Sequence, residues 1–336
     1  MHQPDLVAPS PQPPVIPTTG QVAGSGPQRW QVRITDGKFH WYDLLAGFPD
    51  KPDFREPIGR YLRRMQFDLE AANERPLLYC VVTRPRVRYD PARATQWGFF
   101  SLKLTVPLLT GANATRDSVT VDLKAPFGAT VKKPSVILTE NFLSLNWGGV
   151  IEVLSVHDLL LQYVHDRKLA SQVIYVGQTL DPEGRLAKGR LPAVQRLRQQ
   201  HNEHSDTLLL VLQAEITATS PDGDPADLPE NQIPDAAAAL ARIRADVVEA
   251  ALICYFEGPT PAGRYGEEKE RRRHRLQEVQ QAWELDTLEV SLELEEGGSY
   301  RYLASEHVAA ARRHLFRCKL ADGSVSVAKL PLPPAA

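Results

Sequence analysis

Gln172-Val173-Ile174-Tyr175-Val176-Gly177-Gln178-Thr179, followed closely by Asp181-Pro182-Glu183, is the stretch on which the fold turns. The first run is short, apolar and rich in β-formers, as a buried strand is, and it closes on a glycine. Asp181 can cap free amides, Pro182 at a first helical position wastes no donor, and Glu183 favours the positive end of a helix. The spacing predicts a strand that turns into a short helix carrying Arg185 and Leu186 and ending near Gly189. A second helix, opened by Pro192, runs to about Gln200. Upstream, Ser155-Val156-His157-Asp158 opens a helix through Leu169, because Leu159, Leu160, Tyr163 and Val164 share a stripe. Downstream come an apolar strand from Thr207 to Thr217 and an acidic loop from Pro221 to Pro234. An alanine-rich helix follows from Asp235 to about Glu257, with Leu240, Ile243, Val247 and Cys254 on one seam. Beyond it lie a basic stretch, Arg264 to Arg275, the alternating strand Leu288 to Leu294, and Asp322-Gly323, a pair suited to a tight hairpin.

The first half is built differently. Residues 1–28 hold Pro4, Pro9, Pro11, Pro13, Pro14, Pro17 and Pro27 with three glycines, and such a segment cannot repay its ordering entropy. It is expected to be a disordered tail. Trp30 to Ile34 alternates like a strand, and Arg55 to Ala72 has helical spacing. Strand-like runs follow at Leu77–Thr83, Phe99–Val106, Val119–Leu123, Val136–Thr139 and Val150–Val156. Residues 29–145 therefore read as a separate strand-rich α+β unit without a catalytic constellation, ahead of a unit at 146–285 and a β-rich extension at 286–336.

Composition sets the outer limits. With 336 residues, 43% of them hydrophobic and 24% charged, the chain can build packed cores, which excludes a wholly disordered or fibrous protein. The formal charge of -2 means that attraction to a phosphate backbone must come from a local patch. The 3 cysteines form no Cys-x-x-Cys pair, which excludes a disulfide scaffold and a cysteine zinc ribbon. No run approaches the roughly 18 apolar residues of a membrane span, and no secretory leader is visible. A soluble, cytoplasmic protein with no membrane partner is the expectation.

One constellation stands above this background. Tyr175-Val176-Gly177-Gln178-Thr179 is followed by Arg185, and much later by Glu249 in Glu-Ala-Ala-Leu-Ile-Cys-Tyr-Phe with Pro259 beyond. Over about residues 149–265 this resembles the GIY-YIG nuclease superfamily. The resemblance implies an α+β fold with a small antiparallel sheet flanked by helices, and metal-dependent hydrolysis of phosphodiesters, most naturally in DNA. By it, Glu249 holds Mg²⁺ or Mn²⁺, Arg185 grips non-bridging phosphate oxygens and Tyr175 orients or deprotonates the water. Gly177 lets the backbone pass close to the substrate. By analogy with nucleases fused to unrecognised domains, the setting is restriction or phage defence.

The departures are specific. The Gly-Ile-Tyr half of the motif is not intact; its remnant is either Gly148-Gly149-Val150-Ile151 or Tyr163. Gly189 stands where a histidine or tyrosine is common, and an asparagine expected within Pro259–Gly266 is missing. Arg196 with His201 imitates the family's arginine-histidine pair, although the spacing of Arg185 from Tyr175 fits better. Glu249 has Leu252, Ile253 and Phe256 at +3, +4 and +7, so its carboxylate stands on an apolar face. With Ala245, Ala250, Leu252 and Ile253 around it, Glu249 reads as the sole protein ligand of one ion. Arg271, Arg272 and Arg273 read first as a solvated helix face and second as a grip on DNA phosphates. His201-Asn-Glu-His204 with Asp206 reads as a polar helix end, and Asp222-Gly223-Asp224 as an exposed turn. The rival expectation is a catalytically degenerate binding module whose N-terminal unit engages a protein partner.

Overall fold

The structure, a computed structural model, describes residues 27–44, 53–70, 77–165, 170–179, 204–219, 236–258, 274, 276–278, 280, 284–294, 298–321 and 324–331. Its strands are β1 (Gln28–Trp41), β2 (Leu77–Pro85), β3 (Val87–Tyr89), β4 (Gln96–Trp97), β5 (Lys103–Thr110), β6 (Thr115–Asp122), β7 (Ser135–Leu138), β8 (Phe142–Asn146) and β9 (Ile151–Ser155). They continue with β10 (Ala170–Thr179), β11 (Ser205–Thr219), β12 (Leu285–Glu293), β13 (Tyr302–Ala304), β14 (Arg313–Ala321) and β15 (Ser324–Lys329). The longer helices are α1 (Pro57–Glu70), α2 (Val156–Tyr163) and α3 (Ala236–Phe256). Among the described residues no helix is long and apolar enough to cross a membrane.

The expected small sheet flanked by helices is wrong. The centre is one 8-stranded mixed sheet in the order β13-β10-β2-β11-β1-β12-β14-β15. Its pairs are antiparallel except β1 with β12 and β10 with β13. Nor is the strand-rich first half a separate unit. Its β1 and β2 lie on either side of β11, and β12 to β15 extend the same sheet.

Burial explains why. β2 is buried at every position from Leu77 to Arg84, so both of its faces are covered and it needs a neighbour on each side. β1 alternates over Trp30, Val32 and Ile34, then is buried at Phe39, His40 and Trp41 in succession. One end is a half-exposed strand and the other lies inside the molecule. β3 to β6 and β7 to β9 form smaller antiparallel sheets beside this one.

Local signals placed the helices well. Ser155 caps α2 through a capping box with Asp158, each side chain bonding the other's backbone amide. α2 nevertheless stops at Tyr163, short of Leu169, because Val164 has already turned extended. Against its last turn lies Gly298, with φ +49, where a Cβ would come 2.1 Å from the Leu161 carbonyl oxygen. Only glycine fits there. The strand expected at Phe99 starts instead at Lys103, and Phe99 and Phe100 are exposed. α3 packs against β10 and β2 toward one end of the sheet and β15 at the other, where Tyr255 stacks on Phe316 at 4.0 Å and shares a 3.0 Å hydrogen bond with His314 Nδ1.

Asp206 is not a polar helix end. It is the second residue of β11 and fully buried. Its carboxylate accepts from Arg88 Nη1 at 2.7 Å and Val87 N–H at 2.8 Å, and pairs with His157 Nε2 at 3.1 Å. His157 Nδ1 bonds in turn to the Tyr300 hydroxyl. This buried chain ties α2, β11 and the turn after β12 together.

Candidate functional site

β10 and β2 run antiparallel with Tyr175 opposite Val81 and Gly177 opposite Tyr79. Tyr79 and Tyr175 approach ring to ring at 6.1 Å. A Cβ on Gly177 would come 2.7 Å from Tyr175 Cε1 and 2.8 Å from Tyr79 Oη, so the glycine makes room for both rings. The tyrosine beside Tyr175 is therefore Tyr79. Neither expected remnant of the Gly-Ile-Tyr half stands there: Gly148 occupies the turn between β8 and β9 with φ +85, and Tyr163 ends α2. Burial, then the neighbouring Glu152, raise the Tyr163 hydroxyl above its ordinary pKa. The signal for Tyr79 was present in Leu77-Leu78-Tyr79, two apolar residues and a tyrosine inside a strand. The long separation in sequence between β2 and β10 hid it.

Gly177→Ala should cost about 1 kcal/mol, since the crowded atoms are the movable ends of two tyrosines rather than backbone. Thermal melting should show the loss and near-ultraviolet circular dichroism a changed tyrosine signal. If neither moved, the rings would not be packed over that glycine.

Along a strand, side chains alternate between faces. Tyr175 and Gly177 share one face; Gln178 points to the other and meets α3. Its amide nitrogen donates to Glu249 Oε2 at 3.2 Å and also to Asp246 Oδ1. About two turns further, just past the end of α3, Glu257 Oε1 accepts the Val176 N–H at 3.0 Å. Glu249 is 6% exposed and sits among Val247, Val248, Ala250 and Leu252, all buried. The apolar setting read from its neighbours is there.

The expectation that Glu249 stands alone needs correction. Asp246 lies three residues earlier, a helical neighbour that turns its carboxylate to the same amide. Two carboxylates with neither sulfur nor imidazole are a donor set for a hard divalent ion that keeps most of its water. Among the described residues no group of three or more His, Cys, Asp or Glu side chains converges as a metal cage. Arg185, Arg196, His201, Arg271, Arg272 and Arg273 lie outside the described residues. Of the proposed set, then, Tyr175, Gly177 and Glu249 meet along one stretch of β10, with the tyrosines and the carboxylates on opposite faces of it. Comparison with known proteins adds no relative: no family model, no curated protein and no solved structure matches the chain.

Proposed function

We propose that this chain is a Mg²⁺- or Mn²⁺-dependent phosphodiesterase acting on DNA in the cytoplasm, with restriction or phage defence as its setting by analogy. The observation that carries the reading is the 3.2 Å bond between Gln178 and Glu249. It draws the carboxylate of a distant helix to the strand that bears Tyr175 and Gly177. Asp246 and Glu249 would hold the ion, which when bound would supply Lewis-acid activation of the phosphate and of a water. Tyr175, with Tyr79 beside it, would orient a water or phosphate oxygen reaching around the edge of β10, and Arg185 would stabilise charge on the non-bridging oxygens.

Purified protein incubated with plasmid, single-stranded DNA and RNA, in Mg²⁺, Mn²⁺ or EDTA, should cleave DNA only with metal. Glu249→Gln should lower cleavage roughly a hundredfold or more while leaving DNA binding in EDTA intact. The amide keeps an oxygen for Gln178, so its melting temperature should match or exceed the wild type. Asp246→Asn should raise the Mg²⁺ needed for half-maximal rate. Arg185→Ala should reduce turnover while barely changing affinity, and Arg185→Lys should rescue poorly because a point charge cannot replace a planar fork. A Glu249→Gln protein that cleaves normally removes the reading.

The separation of tyrosines and carboxylates across β10 favours a second reading, a binding module that holds nucleic acid or a protein partner without cutting. One phosphate meets both sets only around the edge of the strand. Metal-independent DNA binding with no cleavage of any substrate would establish that reading over the first.

A further inference from the structure

Away from β10, a cleft of about 540 Å³ opens between α1, α2 and the second half of β1, a size that holds a small organic ligand. β12 pairs with β1 only from Gln28 to Ile34, so Gly37 to His40 has β11 on one side and the cleft on the other. The Trp41 N–H donates to the Tyr61 hydroxyl at 2.5 Å, turned away from β11. Backbone groups alternate in direction along a strand, so the Phe39 N–H and C=O also face outward.

Besides the ion-paired Asp158, two polar side chains in this cleft are more than nine-tenths buried, His40 at 6% and Tyr61 at 5% exposure. The Tyr61 oxygen accepts from Trp41, yet its O–H meets no acceptor among the described residues. The His40 ring has no hydrogen-bond partner among them either. These two groups are neighbours, because the Tyr61 oxygen touches the amide next to His40. Burial holds His40 down to about 4, so at neutral pH its ring is uncharged and offers one donor and one acceptor. The charges at the rim are closed in pairs. Lys38 meets Asp68 at 3.1 Å, and Arg64 meets Asp158 at 2.6 Å. The cleft thus asks for an uncharged group with adjacent acceptor and donor atoms, between the apolar walls of Phe39, Met65 and Leu161.

We propose that this cleft binds a nucleobase through its amide-like –CO–NH– edge. Tyr61 donates to the carbonyl, His40 or the Phe39 backbone completes the edge, and the apolar walls take the flat ring. An added peptide strand suits the cleft less well. Tyr61 closes the strand edge at Trp41 and β12 occupies it up to Ile34, which leaves the Gly37 and Phe39 rungs, fewer than an added strand uses. The base belongs either to a free nucleoside or to an unpaired position of a DNA strand. The site stands apart from Glu249, so this inference does not depend on the nuclease reading.

Calorimetric titration of the full chain in EDTA with adenosine, guanosine, cytidine, thymidine, a ten-nucleotide single strand of mixed sequence and the blocked peptide N-acetylalanine methylamide tests it. Guanosine or thymidine, whose bases carry a –CO–NH– edge, should saturate with Kd at or below about 1 mM, and adenosine and cytidine, which lack that edge, should bind more weakly. Tyr61→Phe, which keeps the ring and removes the donor, should weaken it roughly tenfold. Gln162→Trp, at an exposed rim position, should block the cleft with the fold intact and abolish binding, so the test survives if Tyr61→Phe fails to fold. A strand that binds far more tightly than any nucleoside, and loses that advantage in Gln162→Trp, identifies DNA as the source; equal affinities identify the free nucleoside. No saturation by guanosine, thymidine or the strand, binding of adenosine or cytidine as tight as that of the better of those two, binding unchanged in Gln162→Trp, or tighter binding of the blocked peptide than of guanosine and thymidine would overturn the proposal.

Discussion

Asp206→Ala should remove roughly 3–5 kcal/mol of stability, the usual cost of breaking a buried ion pair by deleting one partner. Asp206 has no exposed surface, and three donors converge on it, the Val87 amide and the Arg88 guanidinium from β3 and His157 from α2. Its deletion leaves the Arg88 guanidinium, which lies 4.7 Å over the Trp41 ring, with only the exposed Glu140 carboxylate at 3.9 Å, and leaves the Val87 amide without its acceptor. A buried cation without a close anion is costly because the interior cannot solvate it as water does. Burial alone would raise the Asp206 carboxyl, but His157, Arg88 and the Val87 amide together hold it below its ordinary value. Asp206→Asn keeps the shape and one acceptor oxygen, so it should cost less than the alanine change. Urea denaturation of both variants measures this. In Asp206→Ala the further change Arg88→Met should recover part of the loss, because the stranded charge goes with it. A loss below about 1 kcal/mol for Asp206→Ala would mean that water reaches the site and solvates Arg88.

That residue also shows where the sequence stops being legible. Asp206 follows His201-Asn-Glu-His204, so its nearest neighbours in sequence suggest a solvated helix end. Its real partners, Arg88 and His157, lie 118 and 49 positions away. Features set within a few residues could be read: the capping box at Ser155, the extent of α3, the alternation of Trp30, Val32 and Ile34. Strand order could not, because each pairing is chosen among many apolar runs and closes a long loop. The parallel pairing of Arg29 with Thr287 crosses almost the whole chain and leaves no local mark.

The candidate site divides in the same way. Glu249 on its apolar helix face was legible because the helix period fixes what lies at +3, +4 and +7. Asp246 follows from the same period read toward the N-terminus, at −3, a position the sequence reading did not weigh. Tyr79 was a matter of pairing, and only the register of β2 against β10 sets it beside Gly177.

The fold should lose roughly 6 kcal/mol between pH 7 and pH 4, because two histidines are buried in forms that resist protonation. His40 and His314 are each lowered from 6.5 to about 4, and in both the first cause is burial. Around His40 the carboxylates of Asp68 and Asp158 partly oppose that effect, while Lys38 and Arg64 add to it. His314 is fixed at both nitrogens, by the Tyr255 hydroxyl at 3.0 Å and the Ala311 carbonyl at 3.1 Å. That carbonyl favours the proton, whereas Lys329 opposes it. Below 6.5 the unfolded chain takes up two protons that the folded chain refuses until about 4. Stability therefore falls as pH drops through this window and levels off for these groups below it. A difference of about 2.5 pKa units at 1.36 kcal/mol each gives roughly 3 kcal/mol per histidine. Against a typical total of 5–15 kcal/mol, that is enough to bring acid unfolding near pH 4 to 5. Urea midpoints at pH 7 and pH 4.5 should show the loss, and His314→Gln should remove about half of the pH dependence by taking one titrating group away. A stability that stays level from pH 7 to pH 4.5 would mean that both rings reach water or an anion in the folded chain, and the enclosed cleft around His40 would then have to be open.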